Sequence, residues 1–239
     1  MHKIIFVLLA ICITMTGCII VYTDKPVQND NKTVDEPGGN YGGADYSQDL
    51  PSQSQPEQTA TLNVVSSESG SLVKSTVTYM KSNLACAGDT DANFASRAFL
   101  SFDITSLPRS AVVSQAILEL SNYTVIGSPT YSKSNWGNMG ALEFYQVQYG
   151  SSGDIGRVDY ESTVPLVSSV KLTNLAGTLL TIDVTQDNGG NNVIQQLLTK
   201  GAARCQFRSQ FFTSTNWDSK ADLICLDGMV LKIKYTVPK

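Results

Sequence analysis

The residues in this chain best suited to molecular recognition are two tryptophans set in polar, turn-rich stretches. Trp136 lies in Ser134-Asn135-Trp136-Gly137-Asn138 and Trp217 in Thr215-Asn216-Trp217-Asp218. An exposed indole stacks on the apolar face of a sugar ring, while neighbouring Asn and Asp side chains supply hydrogen bonds to its hydroxyls. The competing role is that each indole plugs one end of a β-sandwich core. Tyr131 is a third candidate for ligand binding, and Tyr145 and Tyr149 are weaker ones, since tyrosine commonly fills strand positions. Asp89, Asp91 and Asn93 place three oxygen-bearing side chains at alternate positions, as the opening of many calcium loops does. The glycine and distant glutamate of an EF-hand are missing, which leaves either a structural calcium shared with backbone carbonyls or a polar hairpin turn.

Catalysis has few residues to work with. The only histidine is His2, inside a leading segment that reads as a signal peptide, so the processed chain would have none. That rules out a Ser-His-Asp triad, a Cys-His pair and histidine-ligated zinc or iron. An enzyme would have to use paired carboxylates, for instance Glu143 with Asp159 or Glu161, or a tyrosine base, and no spacing brings two of these together. The expectation is a non-catalytic binding domain, with a structural or adhesive surface protein as the alternative and a polysaccharide-active enzyme behind both. The formal charge is −4, and loss of residues 1–17, which contain one lysine and no acid, takes it to −5. Nucleic-acid binders usually show a basic stripe, so this balance excludes that partner class.

The address is written at the start of the chain. Lys3 precedes an apolar run from Ile4 to Ile13, and Met15-Thr16-Gly17-Cys18 puts small residues just before a cysteine, as a bacterial lipoprotein signal does. Acylation of Cys18 would hold the protein on a membrane through buried lipid chains, with no spanning helix. Ile19 follows the lipid site where inner-membrane retention commonly uses Asp, so the outer membrane or cell surface is expected. Residues 18–59 are rich in Asp, Asn, Gln, Ser, Pro and Gly and read as a disordered tether ahead of a domain at 60–239. With Cys12 in the signal and Cys18 lipidated, Cys86, Cys205 and Cys225 remain. An oxidising compartment could pair two of the three, and spacing does not choose which.

These residues must be positioned by strands. Alternating segments recur at 75–81, 98–102, 116–120, 142–147, 179–184, 205–209 and 230–235, as in half-buried antiparallel sheets. Leu231-Lys232-Ile233-Lys234-Tyr235 is the cleanest, with its lysines outward, where at an edge they would discourage strand addition. One helix is expected over Asn192–Thr199, with Asn191 or Asn192 as its cap and Gly201 as its stop. The sum is an all-β fold, an antiparallel β-sandwich of jelly-roll type with one short helix.

Arg97-Ala98-Phe99-Leu100-Ser101-Phe102-Asp103-Ile104-Thr105-Ser106-Leu107-Pro108, followed by Ala111 to Leu120, resembles the central signature of the bacterial DNRLRE-type domains, which overlap the alginate-binding jelly-roll modules. Ile182-Asp183-Val184-Thr185 and Phe207-Arg208-Ser209 fit the same layout. The resemblance implies a non-catalytic jelly roll on an exported protein, with acidic polysaccharide as the ligand class for some members. Arg97, Arg204, Arg208 and the tail lysines could gather to meet such a ligand. The alternative for Arg97 and Arg208 is pairing with strand-end acids such as Asp103.

Overall fold

The computed structural model describes residues 55–121, 123–128, 139–170 and 179–238. The signal at 1–17, Cys18, the tether to residue 54, Tyr131 and Trp136 lie outside the described residues. Among the described residues, alternating apolar positions and Gly, Ser or Asn turns build thirteen strands. They are β1 (Gln58–Asn63), β2 (Gly70–Lys74), β3 (Tyr79–Ser82), β4 (Cys86–Asp89), β5 (Ala95–Asp103), β6 (Val112–Leu120) and β7 (Thr124–Ile126). β8 (Leu142–Val147), β9 (Leu166–Val170), β10 (Leu180–Asp183), β11 (Arg204–Phe211), β12 (Asp222–Cys225) and β13 (Val230–Thr236) complete them.

All pairings are antiparallel, in two sheets packed as a sandwich. The smaller sheet runs β1-β13-β6-β10, and the larger runs β7-β12-β4-β5-β11-β8-β9, with β2 added to β5 and β3 to β2. Phe102, Phe144, Phe207, Leu118, Ile182 and Leu231 meet between the sheets and are fully buried. On β13, Leu231, Ile233 and Tyr235 face this core, and Lys232 turns outward to pair with Glu119 at 2.6 Å. That strand is not an edge, because β1 and β6 flank it on either side.

The helix expected at residues 192–199 is α2 (Val193–Thr199). Its cap is Asn192, whose Oδ1 accepts from Gln195 N at 2.9 Å and whose Nδ2 donates to Val113 O at 3.0 Å. Gly201 closes it with φ 66°, a conformation costly for a residue with a Cβ. Asn192→Ala is expected to lower the unfolding free energy by about 1 kcal/mol in a urea titration. A second helix, the five-residue α1 (Arg157–Glu161), adds to the one expected; its first turn is fixed by Asp159 Oδ2, which accepts from Gly156 N at 2.8 Å.

Two features depart from simple alternation. The strand expected at 75–81 is broken by a hairpin turn: Ser75 Oγ accepts from Thr78 N at 3.0 Å, and residues 75–78 form the connection between β2 and β3. A serine hydroxyl that satisfies the backbone two or three residues on competes with ladder formation. Central strands β5 and β11 are buried on both faces instead of half-buried. Ala98, Leu100 and Phe102 face the core, while Phe99 packs on the opposite face with Leu72, Ile155 and Tyr160, under chain from the 149–161 segment.

The cysteine question is settled by register. Cys86 and Cys225 stand opposite each other on β4 and β12 and form a disulfide. Cys205 is free and fully buried on β11, and burial pushes its thiol pKa up, which keeps it protonated and unreactive.

Candidate functional site

A groove of about 430 Å³ opens where the β2–β3 hairpin, the β4–β5 turn, α1 and the loop before β12 come together. Its floor is Arg97 on β5 lying against Tyr160 of α1. The guanidinium sits 4.1 Å from the ring centroid, and Nη1 donates to the Tyr160 carbonyl. Tyr160 is itself buried and donates its hydroxyl to Ala95 O at 3.2 Å, which helps to tie α1 to the sheet. On one rim Lys74 Nζ pairs with Glu161 Oε1 at 2.6 Å, and Tyr79 donates to the same oxygen at 2.5 Å. Lys74 beside it holds the Glu161 carboxyl below its usual range, and Glu161 in turn raises the Lys74 ammonium, so both stay charged.

On the other rim stands Trp217, 75 % exposed and held at φ 61°. Of the two roles weighed for this indole, the structure places it outward, not as a core plug. An L-residue in the left-handed region carries strain that its surroundings must hold. Here the holding is explicit. Asn216 N donates to Asp89 Oδ2 at 3.1 Å, Asn216 Nδ2 donates to Asp222 Oδ2 at 2.6 Å, and Ser219 N donates to Asn93 Oδ1 at 3.1 Å. The loop carrying Trp217 is thus pinned on both sides of the indole, while the ring stays in solvent.

The residues singled out at 89–93 divide between these tasks. Asp91 is exposed in the turn between β4 and β5, where Asn93 N closes back on Thr90 O at 2.8 Å. Asn93 uses its amide to hold Ser219 and also lines the groove. Asp89 is fully buried and faces the 214–219 loop, and burial pushes its carboxyl up from the usual range. The carboxylates weighed for catalysis are each engaged locally: Glu143 accepts from Tyr145 at 2.5 Å, Asp159 caps α1, and Glu161 holds Lys74. Tyr145 is raised to about 12 by burial and by Glu143, so its hydroxyl stays protonated near neutrality.

The arginines also sort themselves. Asp103 pairs with Arg204, its register partner on β11, at 3.0 Å, not with Arg97 or Arg208. Arg204 also grips buried Glu68 through Nε at 2.8 Å and Nη2 at 2.9 Å. Arg208 is buried, with Nη1 donating to the carbonyls of Asp159, Tyr160 and Ser162 at 2.9–3.1 Å, which satisfies chain ends that α1 leaves open. Burial lowers the Arg208 pKa to about 10, still far above neutrality. Of the three arginines only Arg97 lines the groove.

No protein-family model matches the chain, and no curated protein matches it.

Lys74, Tyr160 and Asp222 are site residues that sequence reasoning passed over. The Asp222-Leu223-Ile224-Cys225 run held a signal, an acid opening a short apolar strand, but four residues after a polar loop show too little alternation to stand out.

Proposed function

We propose that this protein is a lipid-anchored, non-catalytic glycan-binding protein of the bacterial envelope, attached through Cys18 and presenting the groove beneath Trp217 to an acidic polysaccharide. The observation that carries the proposal is the pairing of an outward indole with a cationic floor: Trp217 is 75 % exposed on one rim of a groove whose base is Arg97. A sugar ring stacked on the indole would point its substituents at the hydroxyls of Thr76, Ser214 and Thr215, and a sugar carboxylate would meet Arg97 or Lys74. This local charge answers the objection that an acidic protein should avoid an acidic ligand, since the formal charge of −4 belongs to the whole chain and not to the groove. The likeness of residues 97–120 to alginate-binding-type modules favours the same ligand class. Envelope proteins that share the glycan are the partners this reading allows.

The test is affinity electrophoresis of the full chain through gels containing a polyuronate, a sulfated polymer or a neutral glucan. Retardation by the polyuronate is expected. Trp217→Ala should weaken it by about tenfold, the equivalent of one lost aromatic stack of ~1.4 kcal/mol, without moving the thermal midpoint. Lys74→Gln should weaken binding to the charged polymers alone. Migration unaffected by every polymer would sink the proposal and turn the search to protein partners.

A further inference from the structure

We propose that Asp89 and Asp222 form a binding site for a hard divalent cation of the calcium type, which joins β4 to β12 beneath the Trp217 loop. The two residues are register partners at the end of the ladder, and cross-strand partners have Cβ atoms about 5 Å apart. Both are buried, Asp89 at 0 % and Asp222 at 4 % exposure. On β12 the alternation of side chains puts Asp222 on the same face as Ile224, a core residue. Both carboxylates bond to the same residue, Asn216, Asp89 through its backbone and Asp222 through its side chain.

Charge balance then calls for a partner that the described residues do not provide. The charged groups acting on Asp89 are Asp222 and Asp218, both acidic. Asp222 is satisfied, taking Ser128 N on Oδ1 at 2.5 Å and Asn216 Nδ2 on Oδ2 at 2.6 Å. The Ser128 contact depends on Gly127, where a Cβ would stand 2.1 Å from Asp222 Oδ1. Asp89 is only partly satisfied: it takes Asn216 N on Oδ2 and a hydrogen bond from the Thr215 side chain, but Oδ1 is buried with no hydrogen-bond partner. An isolated buried carboxylate oxygen is costly, and buried charges are paired or coordinate metals. The candidate ligands are hard oxygens, the two carboxylates with the Thr215 hydroxyl beside Asp89, which suits calcium and not a soft metal. Asn216 takes no part as a ligand, since its N–H groups donate to the carboxylates and its Oδ1 accepts from Asp218 N at 3.1 Å. The exposed carboxylate of Asp218, on the same loop, adds further negative charge toward Asp89.

This site differs from a calcium loop built on Asp89, Asp91 and Asn93, because Asp91 is exposed and Asn93 is bonded to Ser219. It also stands apart from the glycan reading, since the ion would order the loop whether or not the groove takes a sugar.

The experiment is calorimetric titration of chelator-treated full chain with calcium chloride, together with thermal unfolding at each calcium level. Saturable binding is expected, with a rise in thermal midpoint of about 5–10 °C at a hundredfold excess over Kd. Asp89→Asn keeps the shape and removes the charge, so it should abolish the rise and unfold in chelator no earlier than the wild-type chain. Asp91→Asn should keep the full rise. Absence of heat and of any midpoint shift with calcium, magnesium or manganese overturns the proposal and leaves Asp89 holding a proton. A rise abolished by Asp91→Asn also overturns it, and moves the ion to the turn.

Discussion

The double variant Cys86→Ser/Cys225→Ser is expected to be less stable than the parent by about 5 kcal/mol, the largest effect of any change considered. The bond spans 139 residues, and in the chain-entropy account a cross-link closing a loop of that length removes about 5 kcal/mol of denatured-state freedom. Folded domains are commonly stable by about 5–15 kcal/mol, so this one link is a large share of the total. The bond also closes a ladder of four residue pairs that runs from Cys86–Cys225 to Asp89–Asp222, where the Trp217 loop is seated. Its loss should therefore loosen that loop before the core. Urea titrations of the variant and of the parent in reductant would measure the first effect, and hydrogen exchange at residues 212–222 the second. A drop below about 1 kcal/mol would mean that packing of Ala87 and Ile224 alone holds the two strands together.

Glu68→Ala should cost about 2–3 kcal/mol, because it removes charge-assisted hydrogen bonds from Arg204 and Ser101 while Arg204, partly exposed, keeps Asp103 as a partner. Glu68 is only 5 % exposed and accepts from Arg204 and from Ser101 Oγ at 2.7 Å. Ser101 Oγ in turn accepts from buried Gln206, whose Nε2 and Oε1 bind the backbone of Gly150. The variant thus breaks a chain of bonds that fastens the 149–161 cover to the outer face of the larger sheet. The same pair sets an acid limit. Arg204, through its hydrogen bonds, holds the Glu68 carboxyl below its ordinary value of 4.5. The pair's stabilisation is therefore fully present above pH 4.5, declines as the pH falls below it, and is gone once the pH is below the lowered folded value. Thermal midpoints taken from pH 7 down to 3 should fall for the parent across this acid range and fall less for Glu68→Gln. Parallel curves would show that other carboxylates set the limit.

How much could be read in advance depended on whether the determining contact was local. The segments at 98–102, 142–147, 205–209 and 230–235 lie within strands because their alternation is a property of five or six adjacent residues. The Asn192 cap and the Gly201 stop were legible for the same reason. Short strands such as β4, β7 and β12 give too few alternations to register, and two of them, β4 and β12, carry both the disulfide and the buried acid pair. Burial of Phe99, Ser101 and Gln206 on the outer face could not be seen locally, since the cover comes from residues 66–69 and 149–161. At the site, Trp217 was visible as an aromatic in a polar loop. Its companions Arg97, Lys74 and Tyr160 meet only through long-range pairing of β2 with β5 and of α1 with both.

Pairing of β1 with β13 brings Gln58 opposite Tyr235. Chain arriving at residue 58 and chain departing after residue 236 therefore share one corner of the sandwich. Termini held this close suit a domain that is inserted, permuted or strung between others without strain, because its neighbours need not reach around it.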